Sequence, residues 1–151
     1  MAIQDLGANC QSILPSQDTL LQDAADLTFI NAEPSVSGGQ TVSQVAPSLA
    51  PYNPTGSLQS IVSGASAVIL DGPSGSIGSV VLLGTQFFMD PAYGNNSNFS
   101  FGQGTVLLHE LLHFATQLGD AAFASTYNIK VQQNESASSA ISEWLQNGCK
   151  N

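Results

Sequence analysis

The chain has no arginine. Its only cationic side chains are Lys130 and Lys150, set against 11 acidic residues for a formal net charge of −9. A protein without a cationic face cannot neutralise a phosphate backbone, so nucleic-acid binding is excluded. Attachment to an anionic membrane surface is disfavoured for the same reason. Long hydrophobic runs are also missing. The longest apolar stretches, around Ala65 to Leu70 and Val80 to Leu83, fall far short of the ~20 residues of a membrane span. Charged residues make up 9% of the chain and hydrophobic ones 42%, a balance too apolar for disorder. Polarity comes instead from Ser, Thr, Asn, Gln and Gly, a style common in exported proteins. At 151 residues the chain is expected to form a single domain, 1–151, with a real core.

Cysteine is nearly absent, and the two that occur, Cys10 and Cys149, lie near opposite ends. Two unrelated buried thiols would be the plainer reading. The expectation here is a disulfide joining the ends of the domain. Closing so long a loop stabilises a fold by up to ~5 kcal/mol in the chain-entropy account. Such a bond belongs to an oxidising compartment. Met1 to Cys10 has neither the cationic start nor the apolar segment of a leader peptide. The protein is therefore expected to be secreted or extracytoplasmic, as a mature domain or as a piece of a larger exported chain.

Ser16-Gln17-Asp18-Thr19 reads as a helix start with Ser16 as N-cap, after which Leu20, Leu21, Ala24 and Leu27 share a face. Asn31 to Thr55 is rich in Pro, Ser and Gly and reads as a long loop with a short turn at Val42 to Ser48. Ser57 to Ser63 suits a short helix. Ala67 to Leu70 reads as a buried strand, and Val80 to Leu83 as a second, with a hairpin between them. Thr85 to Met89 reads as a third strand or a continuation of the second, and Asp90 to Gly104 as a loop. A long helix then follows from about Gln103 to Leu118, with Gly119 placed as its C′ residue. A last helix covers Ser136 to Gln146, with Ala137, Ile141, Trp144 and Leu145 on its apolar side. The implied class is α+β: a short sheet, a buried helix and a C-terminal helix.

Histidine is as scarce as cysteine. Both histidines, His109 and His113, fall in one stretch, Thr105-Val-Leu-Leu-His-Glu-Leu-Leu-His-Phe-Ala-Thr-Gln-Leu-Gly-Asp120. On a helix, residues four apart lie on one face, so the two imidazoles can meet one ion. Glu110 follows His109 directly and can reach a water on that ion as general base. Chance placement would give this arrangement on the order of once in three thousand, far below the frequency with which the motif marks a metal site. The helix is apolar almost all round, from Val106, Leu107, Leu108, Leu111, Leu112, Phe114 and Leu118. Burying unpaired imidazoles and a carboxylate in it would be costly, and a shared metal removes that cost.

His109-Glu110-Leu111-Leu112-His113 resembles the HExxH signature of the zincins, the zinc metallopeptidases. The resemblance covers these five residues and their helix. It implies Zn2+ held by His109 and His113, Glu110 as general base, and a sheet whose edge strand lies over the active-site helix and takes the substrate as an added strand. Val80 to Met89 is the first choice for that edge strand, with Ala67 to Leu70 the other. Metzincins, within this group, continue the motif with a glycine and a third ligand, which is Asp in some small bacterial members. Here Thr116 stands at the glycine position and Gly119 at the ligand position, with Asp120 one residue late. On a helix regular to Leu118, Asp120 would lie ~10 Å further along the axis than His113. Asp120 is nevertheless the expected third ligand, with the helix ending near Thr116. The alternatives are Glu135, which resembles the later glutamate of gluzincins, and Glu143. Tyr127 is the preferred electrophilic partner, ahead of Tyr93 and Tyr52. Met1 and Met89 both precede the motif, so the methionine turn of metzincins is missing.

The expected function is a zinc metallopeptidase acting on a peptide or protein substrate, as a monomer. Two other readings stay open. One is a non-catalytic zincin-like binding or structural domain, favoured by the departures at Thr116 and Gly119. The other is a metal-dependent effector domain of a larger exported protein. Glu110 favours the enzyme, because a purely structural site has no use for a base.

Overall fold

The computed structural model describes residue 3, residues 6–89 and residues 102–150. In chain order its helices and strands are α1 (Ala8–Ile13), α2 (Gln17–Asp26), β1 (Thr28–Asn31), α3 (Pro34–Ser37), α4 (Val42–Val45), α5 (Leu58–Val62), β2 (Ala67–Asp71), β3 (Ile77–Leu83), α6 (Thr85–Met89), α7 (Gln103–Thr116), α8 (Asp120–Thr126) and α9 (Ala137–Gln146). The class is α+β, as the sequence implies.

The strand β3 explains the architecture. Val80, Val81, Leu82 and Leu83 are all buried, because β3 is the middle strand of a sheet ordered β1-β3-β2. Side chains alternate across a strand. Val81 and Leu83 accordingly join the core cluster that holds α7 and α9, while Val80 and Leu82 pack with Val42, Leu58 and Val62 on the opposite face. A continuous apolar run is what two-sided burial demands. The hairpin between β2 and β3 is antiparallel and turns through Pro73–Gly75; β1 pairs with β3 in parallel.

This arrangement corrects the assignment of the edge strand. Val80 to Met89 does not lie at the edge: β3 is central, and Thr85–Met89 is the helix α6. The ladder ends where Gly84 N–H donates to Ser66 O at 2.9 Å, and Phe87 N–H then donates to Gly84 O at 3.0 Å, which winds the chain into a helix. Ala67–Asp71, the other choice, is an edge strand, as is β1, and it is β2 that packs against α7. The Asn31 to Thr55 loop contains α3 and α4, and the strand before it, β1, has no counterpart in the sequence reading. Ser16 caps α2, accepting from Thr19 N–H at 3.2 Å, but Leu21, placed on the apolar face, is 41% exposed.

Cys10 and Cys149 are joined by a disulfide, both sulfurs lying in the core. The bond ties α1 to the residues just after α9, and Asn9 Nδ2 donates to Cys149 O across the same junction at 3.1 Å. Among the described residues no helix is long and apolar enough to cross a membrane.

Candidate metal centre

The helix α7 buries Val106, Leu108, His109, Glu110, Leu111, Leu112 and His113, so both histidines and the glutamate lie in the core rather than on a solvated face. It ends at Thr116. Gln117 takes the left-handed conformation (φ 55°), the position that the sequence suggested for Gly119. A left-handed backbone is unusual for glutamine, and its side chain shows what holds it there. Gln117 Oε1 accepts from Ile77 N–H at 2.8 Å, and Nε2 donates to Ile77 O at 3.2 Å and to Phe114 O at 2.8 Å. The start of β3 thus fixes the helix stop. Thr116 Oγ1 also donates back to Leu112 O at 2.7 Å, filling a carbonyl of the last turn.

The reversal returns the chain to the histidines. Gly119 is extended, and Asp120 opens α8 as its first residue. His109 Nε2 and His113 Nε2 are 2.8 Å apart, and Asp120 Oδ1 lies 3.0 Å from each. His109, His113 and Asp120 form the one group of three or more metal-ligating side chains found among the described residues. The early helix end expected from the sequence is present, and Asp120 meets both imidazoles.

The donor chemistry fits a cation. His113 Nδ1 lies 2.5 Å from Leu118 O, which can only accept, so Nδ1 carries the proton and Nε2 of the neutral ring presents a lone pair. A second imidazole nitrogen and a carboxylate oxygen face that lone pair. Three acceptors crowded at such distances need protons or a metal ion between them. The Asp120 side chain is 43% exposed against 5% for His109 and 7% for His113, so the cluster opens to solvent on the aspartate side. Without metal, burial disfavours the Asp120 carboxylate, but hydrogen bonds from His109 and His113 outweigh it and hold the carboxyl below its usual range. Burial also works against the charged form of His113, yet the Asp120 hydrogen bond, Glu110 and the Leu118 carbonyl leave its pKa raised.

Glu110 is buried beside the cluster. Burial pushes its carboxyl up, partly offset by His109, His113 and the Ile69 main-chain N–H on β2. The strand β2 packs against α7, which places this edge beside the site. Ser66 O accepts from Gly84 N–H, so the alternation of the ladder sends the main-chain groups of Ala67 and Ile69 away from β3, toward Glu110. A cleft of about 300 Å3 opens here, bounded by residues 64–67, by His109 and Glu110, and by serines of the start of α9.

Other expected residues fall elsewhere. Glu135 accepts from Gln132 N–H at 2.8 Å in the turn before α9, and neither it nor Glu143 belongs to the histidine cluster. Tyr127 packs its ring on Phe123 (centroids 4.4 Å) and Trp144 (6.0 Å), an aromatic group that supports the site from below. Tyr52 is exposed on a short 3-10 turn, and Tyr93 lies outside the described residues.

Two residues of the site escaped the sequence reading. Phe123, fully buried, sits one turn after Asp120 on α8 and meets the His113 ring edge-on at 6.1 Å. Ser142, on α9, lies with its Oγ 2.8 Å from His109 Nδ1. Its signal was a small polar residue three positions before Leu145, inside the apolar arc of the last helix.

The chain matches no protein-family model, no curated protein and no solved structure. The functional reading therefore rests on the geometry of the site.

Proposed function

We propose that this chain is a zinc-dependent peptidase in which His109, His113 and Asp120 hold the ion and Glu110 is the general base. The observation that carries the reading is the convergence of two imidazole nitrogens and one carboxylate oxygen beside a buried glutamate. Two histidines and a carboxylate are a catalytic zinc donor set, with a position left for water or substrate. The same set also serves non-haem iron, and Glu110 tips the choice toward hydrolysis. A site that only braced the fold would gain nothing from a carboxylate kept in the core.

A zinc ion held by these donors would supply Lewis acidity to a water and to a peptide carbonyl. The remaining work falls to the protein. The Glu110 carboxylate accepts the proton of the attacking water and passes it to the departing amine nitrogen. Its raised pKa suits both transfers. The Ile69 N–H on β2 favours the charged carboxylate. The outward main-chain groups of β2 offer hydrogen bonds to an extended peptide lying along the edge. With no arginine and a net charge of −9, the surface disfavours acidic peptides. The disulfide suits an extracellular setting.

The test is casein or peptide-library cleavage by the zinc-loaded protein beside Glu110→Gln. The amide keeps the shape but cannot take a proton, so cleavage should fall at least a hundredfold while zinc is retained. Equal cleavage by the two proteins would remove Glu110 from the mechanism.

A further inference from the structure

The two imidazoles are anchored differently. His113 Nδ1 is held by Leu118 O, a main-chain carbonyl that comes with the helix stop. His109 Nδ1 is held by a side chain, Ser142 Oγ, 33 residues further along the chain and on a different helix. Ser142 is 5% exposed and is the one buried polar residue of α9. A serine in an apolar helix face costs packing energy unless its hydroxyl is used, and its hydroxyl faces His109.

Resting on the metal reading above, we propose that Ser142 is a positioning residue for the metal centre. A hydroxyl can either donate to the ring or accept from it. If Ser142 donated to Nδ1, the ring proton would sit on Nε2 and point at His113 Nε2 and Asp120 Oδ1, closing the site to a cation. When an ion is bound, Nδ1–H must donate to Ser142 Oγ, which fixes the ring orientation and leaves the Nε2 lone pair facing the ion. Outer partners of this kind typically change metal affinity 10–100-fold.

The placement on α9 has a consequence for the whole fold. The helix α9 is tied to α1 by the Cys10–Cys149 bond and carries Trp144, which packs on Phe123 beneath His113. Docking of the C-terminal helix thus completes the support of both histidines.

The experiment measures zinc affinity of the full chain by chelator competition for the native protein, Ser142→Ala and Ser142→Thr. Expected is a 10–100-fold weaker Kd for Ser142→Ala, with Ser142→Thr, which restores a hydroxyl, within about threefold of native. A merely structural serine would not show that rescue. Unchanged affinity in Ser142→Ala, or equal loss in both variants, overturns the proposal while leaving the metal site standing. No zinc binding by the native protein overturns the metal reading itself. Because the threonine methyl could disturb the core, nitrogen-15 NMR of the native zinc form supplies a second arm. His109 should carry its proton on Nδ1, protected from exchange, and a proton on Nε2 or a freely exchanging one on Nδ1 overturns the assignment.

Discussion

His113 and Asp120, seven residues apart, meet at 3.0 Å because Gln117 between them leaves the helix in a left-handed turn. Had α7 continued to Leu118, the aspartate would have been carried along the axis and away from the imidazoles. The third donor of the candidate site therefore depends on a residue whose side-chain hydrogen bonds go to Ile77 and Phe114.

Gln117→Ala should lower stability by about 1–2 kcal/mol, because the side chain loses its bonds to both main-chain groups of Ile77. It should also weaken zinc binding, since the position of Asp120 depends on the same turn. Urea unfolding and chelator competition on one preparation check both. A variant that loses stability with unchanged zinc affinity would separate the turn from the site.

Much of this was legible in the sequence, and what was not has a common cause. The His-Glu-Leu-Leu-His helix, the Ser16 cap, the β2–β3 hairpin and the cysteine pair follow from local periodicity, capping chemistry or residue scarcity. Gln117 could not be read, because a glutamine rarely adopts positive φ and what stabilises it is Ile77, 40 residues away. The strand β1 was invisible for a similar reason. Its four residues, half of them exposed, become a strand only by pairing in parallel with the distant β3. Thr85 to Met89 carries a strand-like Phe-Phe-Met run, but the ladder has already ended at Gly84, and the segment closes into a helix that buries Phe87. At the site, the motif supplied three residues and left Asp120 among three choices. The bend at Gln117 brings Asp120 to the two histidines, whereas Glu135 and Glu143 stay outside their cluster.

The metal-free protein should lose stability as pH rises above about 6.5. His113 has a raised pKa in the fold, so its contribution is full below the unfolded value of ~6.5 and vanishes as pH passes the folded value. Glu110 is also raised, by burial, so its ionisation weakens the fold in the same direction. Asp120 is depressed, so its contribution is lost only in acid, below the ordinary carboxylate range of ~4. With zinc present the trend should reverse, because protons compete with the ion for the imidazoles. Melting curves with chelator and with zinc, at pH 6 and at about pH 8.5, check the pair of slopes. A metal-free protein that gains stability over this range would contradict the assignment.

Reduction of the disulfide, or Cys10→Ala with Cys149→Ala, should lower unfolding free energy by up to about 5 kcal/mol for a closed loop of 139 residues. Zinc affinity should fall with it, since α9 carries Ser142. Urea unfolding with and without reductant, with intact mass to confirm the bond, reports this. An unchanged midpoint would show that the bond adds nothing.

The most direct test of the account is zinc content by elemental analysis of the native protein beside Asp120→Ala, Glu135→Ala and Glu143→Ala, all purified alike. The account expects about one zinc per chain in the native protein and in both glutamate variants, as a three-donor site implies, and severe loss in Asp120→Ala. Full zinc in Asp120→Ala, or loss in a glutamate variant instead, would contradict it.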